Sequence, residues 1–89
     1  MRTHSIVEHN LGPEWDDALL QRLFARAEAL GGAVQAVDWG LAGSQVLARY
    51  RIALPAGMVD VEVETYMGVV LRGRENPLRL LAEGVEASR

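Results

Sequence analysis

The chain has 89 residues, a length that makes one small domain with a single thin core. Hydrophobic residues make up 49% of it and charged residues 24%, which excludes a disordered chain, and no segment is long and apolar enough to cross a bilayer. The formal net charge of −3 argues against a broad nucleic-acid-binding surface, and the absence of cysteine excludes disulfides and thiolate chemistry.

The first two elements are predicted from chain breaks and apolar spacing. Residues 3–10 form either an edge strand or only an ordered arm. Pro13, with acidic residues directly after it, predicts a helix over residues 13–30. The apolar stripe of this helix contains Leu20, Leu23, Phe24, Ala27 and Leu30, with Trp15 and Leu19 on its flank. The glycine pair at positions 31 and 32 ends the helix.

A meander of three strands is predicted next, over residues 33–39, 44–54 and 58–71, with turns at residues 40–43 and 55–57. In the first of these strands, the alternation of apolar and polar residues changes phase. Val34 and Ala36 predict one buried face, whereas Val37 and Trp39 predict the opposite face. A central position in the sheet or a small bulge would reconcile them. Gly68 interrupts the third strand, where we expect a bend, a bulge or a close backbone contact.

The turn after Leu54 limits the register between the second and third strands. If Leu54 faces Gly57, then Arg51 faces Asp60; if the loop is two residues longer, Arg51 faces Glu62. Opposite charges meet on one face in both registers. The other face is apolar and includes Val59, Val61 and Val63.

The last helix has a strong start signal, with Asn76 as the cap and Pro77 as the first helical residue. Its apolar stripe consists of Leu78, Leu81, Ala82 and Val85. Gly84 lies inside the helix and indicates close packing or early fraying.

These elements predict one α+β domain over residues 1–89 with the order (β)αβββα. We expect a two-layer sandwich, in which an antiparallel three-stranded meander carries both helices on one face. Residues 3–10 add a fourth strand if they are not an arm. The order α-β-β-β-α over residues 13–88 resembles that of the double-stranded RNA-binding domain. That family grips phosphates with a lysine-rich start of its second helix, but residues 75–79 contain no lysine, so the resemblance covers topology alone.

The second face of the sheet is predicted to stay open and charged, and its candidate interface residues are Leu47, Arg49, Arg51, Glu62, Glu64 and Tyr66. Tyr66 and Leu47 are the residues of this set that suit an interface centre. We therefore predict a small non-enzymatic protein-interaction or assembly domain that uses this face or a sheet edge. The expected partner is a second copy of the chain or another protein, and the expected compartment is the cytoplasm because no apolar run follows the first residues.

The alternative function is anion or nucleic-acid binding through Arg72, Arg74 and Arg79 at the start of the last helix. The free N–H groups and the dipole of a helix start attract anions, and guanidinium groups add charge-assisted hydrogen bonds. Glu75 lies among these arginines and opposes an anion.

Catalysis and metal binding have little support in the sequence. His4 and Glu8 share a face of the first segment while His9 points away, so no three-ligand metal site is expected. The carboxylates Asp60, Glu62 and Glu64 are expected to be neutralised by the facing arginines. We predict no catalytic residue, metal or cofactor.

Overall fold

A computed structural model of the chain describes residues 6–12, 16–42, 45–65 and 68–87. The elements are β1 (Ile6–Gly12), α1 (Asp17–Ala29), β2 (Ala33–Ala42), β3 (Gln45–Leu54), β4 (Gly57–Glu64), β5 (Gly68–Arg74) and α2 (Glu75–Ala87). The strands form one antiparallel sheet in the order β1-β5-β4-β3-β2. The α+β class agrees with the prediction, but the sheet has five strands where three or four were expected.

The extra strand comes from the segment 58–71, for which the sequence predicts one strand and the structure has a hairpin. The chain leaves β4 at Glu64 and enters β5 at Gly68, whose φ of +87° is a left-handed conformation that favours glycine. Because four strands separate the two helices, the element order also differs from that of the double-stranded RNA-binding domain.

The β3–β4 hairpin has the shorter of the two predicted registers. Leu54 faces Gly57, and Arg51 faces Asp60. Gly57 occupies the turn with a φ of +145°, a value that side-chain-bearing residues rarely adopt. The apolar face is buried, since Val59, Val61 and Val63 are each at most 1% exposed.

The first segment is a strand and not an arm. β1 pairs with β5 from Ile6 to Gly12, with a register shift between Asn10 and Gly12. Leu11 is 5% exposed and joins the core. Residues 3–5 of the predicted segment lie outside the described residues.

β2 occupies the opposite edge of the sheet, so its predicted central position is wrong and the predicted bulge is confirmed. Its partners on β3 step from Tyr50 opposite Ala36 to Arg49 opposite Asp38, which leaves Val37 as the bulged residue. β2 also continues to Ala42, through most of the segment for which a turn is predicted.

α1 begins at Asp17, four residues after the predicted start at Pro13, because Asp16 is the cap. The Asp16 carboxylate accepts a hydrogen bond from the Leu19 backbone N–H at 3.1 Å. Leu19 is 1% exposed and belongs to the core rather than to the flank of the helix. Trp15 lies outside the described residues.

α2 begins at Glu75, directly after β5, so the predicted cap Asn76 lies inside the helix and Arg72 and Arg74 belong to a strand. The predicted apolar stripe of α2 is buried as expected. Both helices cover the same face of the sheet, as predicted. The core they enclose contains Leu11, Leu19, Leu20, Leu23, Ala27, Ile52, Leu54, Val59, Val61, Val63, Val69, Leu71, Leu78, Leu81, Ala82 and Val85. Neither of the described helices has the length and apolar character that a membrane span requires.

Candidate interaction surface

The open face of the sheet, on the side away from the helices, carries a row of charges that crosses four strands. Glu8 faces Arg72, Arg72 faces Asp60, and Asp60 faces Arg51, so the sign alternates at every step. Two of these steps are ion pairs: Arg72 lies 2.7 Å from Glu8, and Arg51 lies 3.0 Å from Asp60. The next position along β2 in this row is Gln35, opposite Arg51.

A second row runs beside the first and is connected to it. Arg49 forms an ion pair with Glu62 at 3.1 Å, and Arg72 reaches diagonally to Glu62 at 3.8 Å. Asp38 of β2 faces Arg49 from the other side. The interaction with Glu8 is the main cause of a raised Arg72 pKa, to which the charges of Glu62 and Asp60 also contribute. We call the connected set Glu8, Arg49, Arg51, Asp60, Glu62 and Arg72 the charge lattice.

The charge lattice satisfies its own charges. Each exposed pair contributes only about 0.2–1 kcal/mol, but every member already has a partner of opposite sign. A shallow recess of about 260 Å³ lies above it, lined in part by Arg49, Arg51 and Arg72. Leu47 and Glu64, the other predicted interface residues on this face, are half-buried and face each other at one end of the sheet. Tyr66 lies outside the described residues.

The edge of the sheet at β2 differs from the charge lattice because its backbone has a neighbour on one side only. Among the described residues, β3 is the single strand that pairs with β2. The segment 33–42 contains no lysine, arginine or proline, the residues that most often protect an edge from another strand. Among its side chains that the structure describes, those of residues 33–40, two large apolar ones are exposed, Val37 at 51% and Trp39 at 65%.

The opposite edge, β1, is protected. β1 has seven residues against ten in β2, and both of its titratable side chains are held in ion pairs. Glu8 is held by Arg72, and the His9 ring lies 3.1 Å from the Glu86 carboxylate of α2. β2 is therefore the longer and less charged edge, and its own protection consists of the bulge at Val37 and the single carboxylate of Asp38.

Val37 and Trp39 lie on different faces of the β2 edge. Val37 lines the recess on the open face together with Arg49 and Arg51. Trp39 faces Ala48, which is 2% exposed and points to the helix side. Trp39 itself is nevertheless 65% exposed.

The arginines of the anion hypothesis lie in different environments. Arg72 belongs to the charge lattice, and Arg74 is the last residue of β5. Arg79 lies 3.5 Å from both Glu75 and Glu83 on the surface of α2. Anion binding stays a prediction, but Arg72 and Arg79 already have carboxylate partners.

Sequence reasoning assigns no role to Val37 and Trp39, although the phase change that they cause is the signal of the bulged edge. His4 lies outside the described residues, and the described part of the chain contains no cluster of three His, Asp or Glu residues suited to a metal. Comparisons with protein-family models, curated proteins and solved structures gave no match.

Proposed function

We propose that the protein is a small non-enzymatic interaction domain that binds a protein partner by adding a strand to the β2 edge. The observation that carries this proposal is the long β2 edge, which has no lysine, arginine or proline and exposes Val37 and Trp39. In strand addition, main-chain hydrogen bonds provide affinity and alternate side chains provide specificity. We propose the cytoplasm as the compartment in which it does so.

The edge is favoured over the open face because of the charge lattice. A partner on the open face would have to desolvate ion pairs that are already formed, for little electrostatic gain. A strand on the β2 edge would satisfy backbone donors and acceptors and cover apolar side chains.

Site-specific photocrosslinking in cells of the source organism tests this function. A benzophenone amino acid in place of Trp39 should yield a discrete adduct with one polypeptide. Val37→Lys should remove the adduct, since a lysine on an edge strand opposes the approach of another strand. Gln21→Lys, on the exposed side of α1, is the matched control and should leave the adduct unchanged. The proposal is overturned if no adduct forms or if Val37→Lys leaves it intact.

A further inference from the structure

The residues of β2 are complementary to a second copy of β2. We infer that two copies of the chain pair these strands antiparallel about a two-fold axis, with Gln35 of each copy facing Asp38 of the other. This inference rests on the proposed use of the β2 edge and names its partner. It would join two sheets into one continuous sheet, a common route to symmetric dimers.

The bulge at Val37 restricts which registers are available. Before the bulge, Gln35 points to the open face, and after it Asp38 does so as well, since they face Arg51 and Arg49 respectively. Residues that face each other across an antiparallel pair must point to the same side of the sheet. In the Gln35–Asp38 register the faces match at that pair and at Val34–Trp39, although Ala36, on the helix side, faces Val37, on the open face, at the two-fold axis itself. The register shifted by two residues, with Gln35 opposite Gly40, also matches the faces, so the charges must select between the two.

The same register matches the apolar side chains on the helix side. Val34 of one copy would face Trp39 of the other. Val34 is half-buried against the core, whereas Trp39 is 65% exposed. The pairing would therefore extend each core across the edge and remove the largest exposed apolar side chain of β2 from water.

The charges on the open face favour this register over its neighbours. It joins the first charge row of one copy to the second row of the other, in the order Glu8, Arg72, Asp60, Arg51, Gln35, then Asp38, Arg49 and Glu62 of the second copy. The signs alternate along the whole series, with the neutral Gln35 between Arg51 and Asp38. In the register shifted by two residues, the Asp38 carboxylates of the two copies would instead lie one position apart on the same face beside the axis, and their like charges would repel.

Asp38 has the hydrogen-bonding capacity that this contact needs. It accepts a hydrogen bond from the Trp39 N–H at 2.8 Å, and within the described residues it forms no ion pair, because Arg49 pairs with Glu62. A Gln35 side-chain amide from the second copy can donate to the remaining carboxylate oxygen. By symmetry this bond forms twice.

The helices of both copies would lie on the same side of the joined sheet, because the two-fold axis is perpendicular to it. Val34 is half-buried against the core at the first part of β2, whereas Trp39 is 65% exposed. The half-buried Val34 of each copy would thus meet the exposed Trp39 of the other.

Cysteine crosslinking tests the register directly, since the chain has no cysteine of its own. Gln35→Cys and Asp38→Cys variants should form a disulfide dimer when mixed and oxidised, because facing residues lie about 4.5–5.5 Å apart between Cα atoms. Neither variant should crosslink alone, since neither position faces itself in this register. A mixture of Gln35→Cys with Gly40→Cys is the control for a register shifted by two residues.

A second measurement needs no cysteine. Gln35→Glu opposes two carboxylates twice per dimer and should weaken self-association about tenfold in sedimentation equilibrium. Adding Asp38→Asn to Gln35→Glu should restore it. Circular dichroism of each variant establishes that the monomer is folded.

The outcomes separate this inference from the proposed function. A preferred crosslink between positions 35 and 38, together with the Gln35→Glu effect, supports the paired β2 strands. Equal crosslinking in every sample, a preferred crosslink to position 40, or a chain that stays monomeric at millimolar concentration overturns the inference. A monomeric chain whose Trp39 adduct with a different polypeptide is still removed by Val37→Lys would overturn the inference and leave the proposed function standing.

Discussion

At the scale of single residues, Gly32 is placed where no side chain fits. A Cβ there would lie 2.6 Å from Leu54 Cδ2 and 2.7 Å from the Ala53 carbonyl oxygen, and the backbone oxygen belongs to a paired strand. We expect Gly32→Ala to lower the free energy of unfolding by about 1–3 kcal/mol in urea denaturation. Gly40→Ala is the control, since a Cβ at that position would meet nothing within 4 Å, and it should change stability by less than about 0.5 kcal/mol. Equal losses in both variants would contradict the steric explanation.

Gly84 occupies the interior of α2 although glycine has a low helix propensity. It lies inside α2, where alanine would be favoured by about 1 kcal/mol, but the Arg26 side chain lies across it and donates from Nε to the Leu80 carbonyl at 3.1 Å. The contact favours close packing over fraying as the role of this glycine.

A double-mutant cycle measures this contact. In an Arg26→Ala background, Gly84→Ala should stabilise the protein by about 1 kcal/mol, because the obstructing side chain is gone. In the wild-type background the same substitution should stabilise less or destabilise, since it displaces Arg26 from its hydrogen bond. Thermal and urea unfolding both give the required free energies, and identical effects in the two backgrounds would rule the contact out.

At the scale of elements, Arg72 and Arg79 form a matched comparison. Each lies near two carboxylates, but Arg72 connects β5 to β1 and β4, whereas Arg79 bonds within its own helix. Arg72→Ala should lower the free energy of unfolding by about 1 kcal/mol, because it removes the cationic partner of carboxylates on two neighbouring strands. Arg79→Ala should lower it by about 0.5 kcal/mol or less, because exposed ion pairs within one helix are weak. Urea denaturation at low salt and in 1 M salt tests this, because screening should remove most of the difference. A larger loss for Arg79→Ala would show that the charge lattice does not fasten β1.

The β3–β4 hairpin was predictable because local signals agreed. The turn after Leu54 and the alternation of arginines with apolar residues exclude a slip by one residue, which would bury Arg51, and leave two registers, of which the structure has the shorter. The helix stripes were predictable for the same reason, since their spacing depends on the helix alone.

The turn between β4 and β5 could not be predicted from the alternation of apolar and polar residues, because this alternation continues in the same phase on both sides of the turn. The buried apolar side chains of both strands are odd-numbered: 59, 61 and 63 in β4, and 69 and 71 in β5. The two-residue periodicity therefore predicts a single strand over the segment 58–71. The signal that could have revealed the turn was length, because strands in globular proteins seldom exceed about ten residues. Without that turn, Arg72 and Arg74 fall in a predicted loop, and the alternation of Arg72 with Glu8 and Asp60 cannot be seen.

At the scale of the whole molecule, the two edges of the sheet are unequal. β1 is fastened by Glu8 and His9 to neighbouring elements, whereas β2 exposes backbone and Trp39. Under the proposed use of the β2 edge, this difference between the edges would direct association to one side, so that strand addition would close as a dimer and would not propagate into a fibre.

The last prediction follows from mass action on such a dimer. Self-association stabilises the folded state as concentration rises, since the unfolded chain does not pair. Raising the total chain concentration from near the dissociation constant to a hundredfold above it should add about 1 kcal/mol per chain, because the free monomer rises less steeply than the total, or about 5 °C in the thermal midpoint of a chain of this size. Differential scanning calorimetry over that range measures how steeply the thermal midpoint rises with concentration. Val37→Lys should flatten it and Gln21→Lys should not, because only the former places a charge on the β2 edge. A midpoint of the wild-type chain that is independent of concentration would contradict self-association, whatever the midpoint itself proves to be.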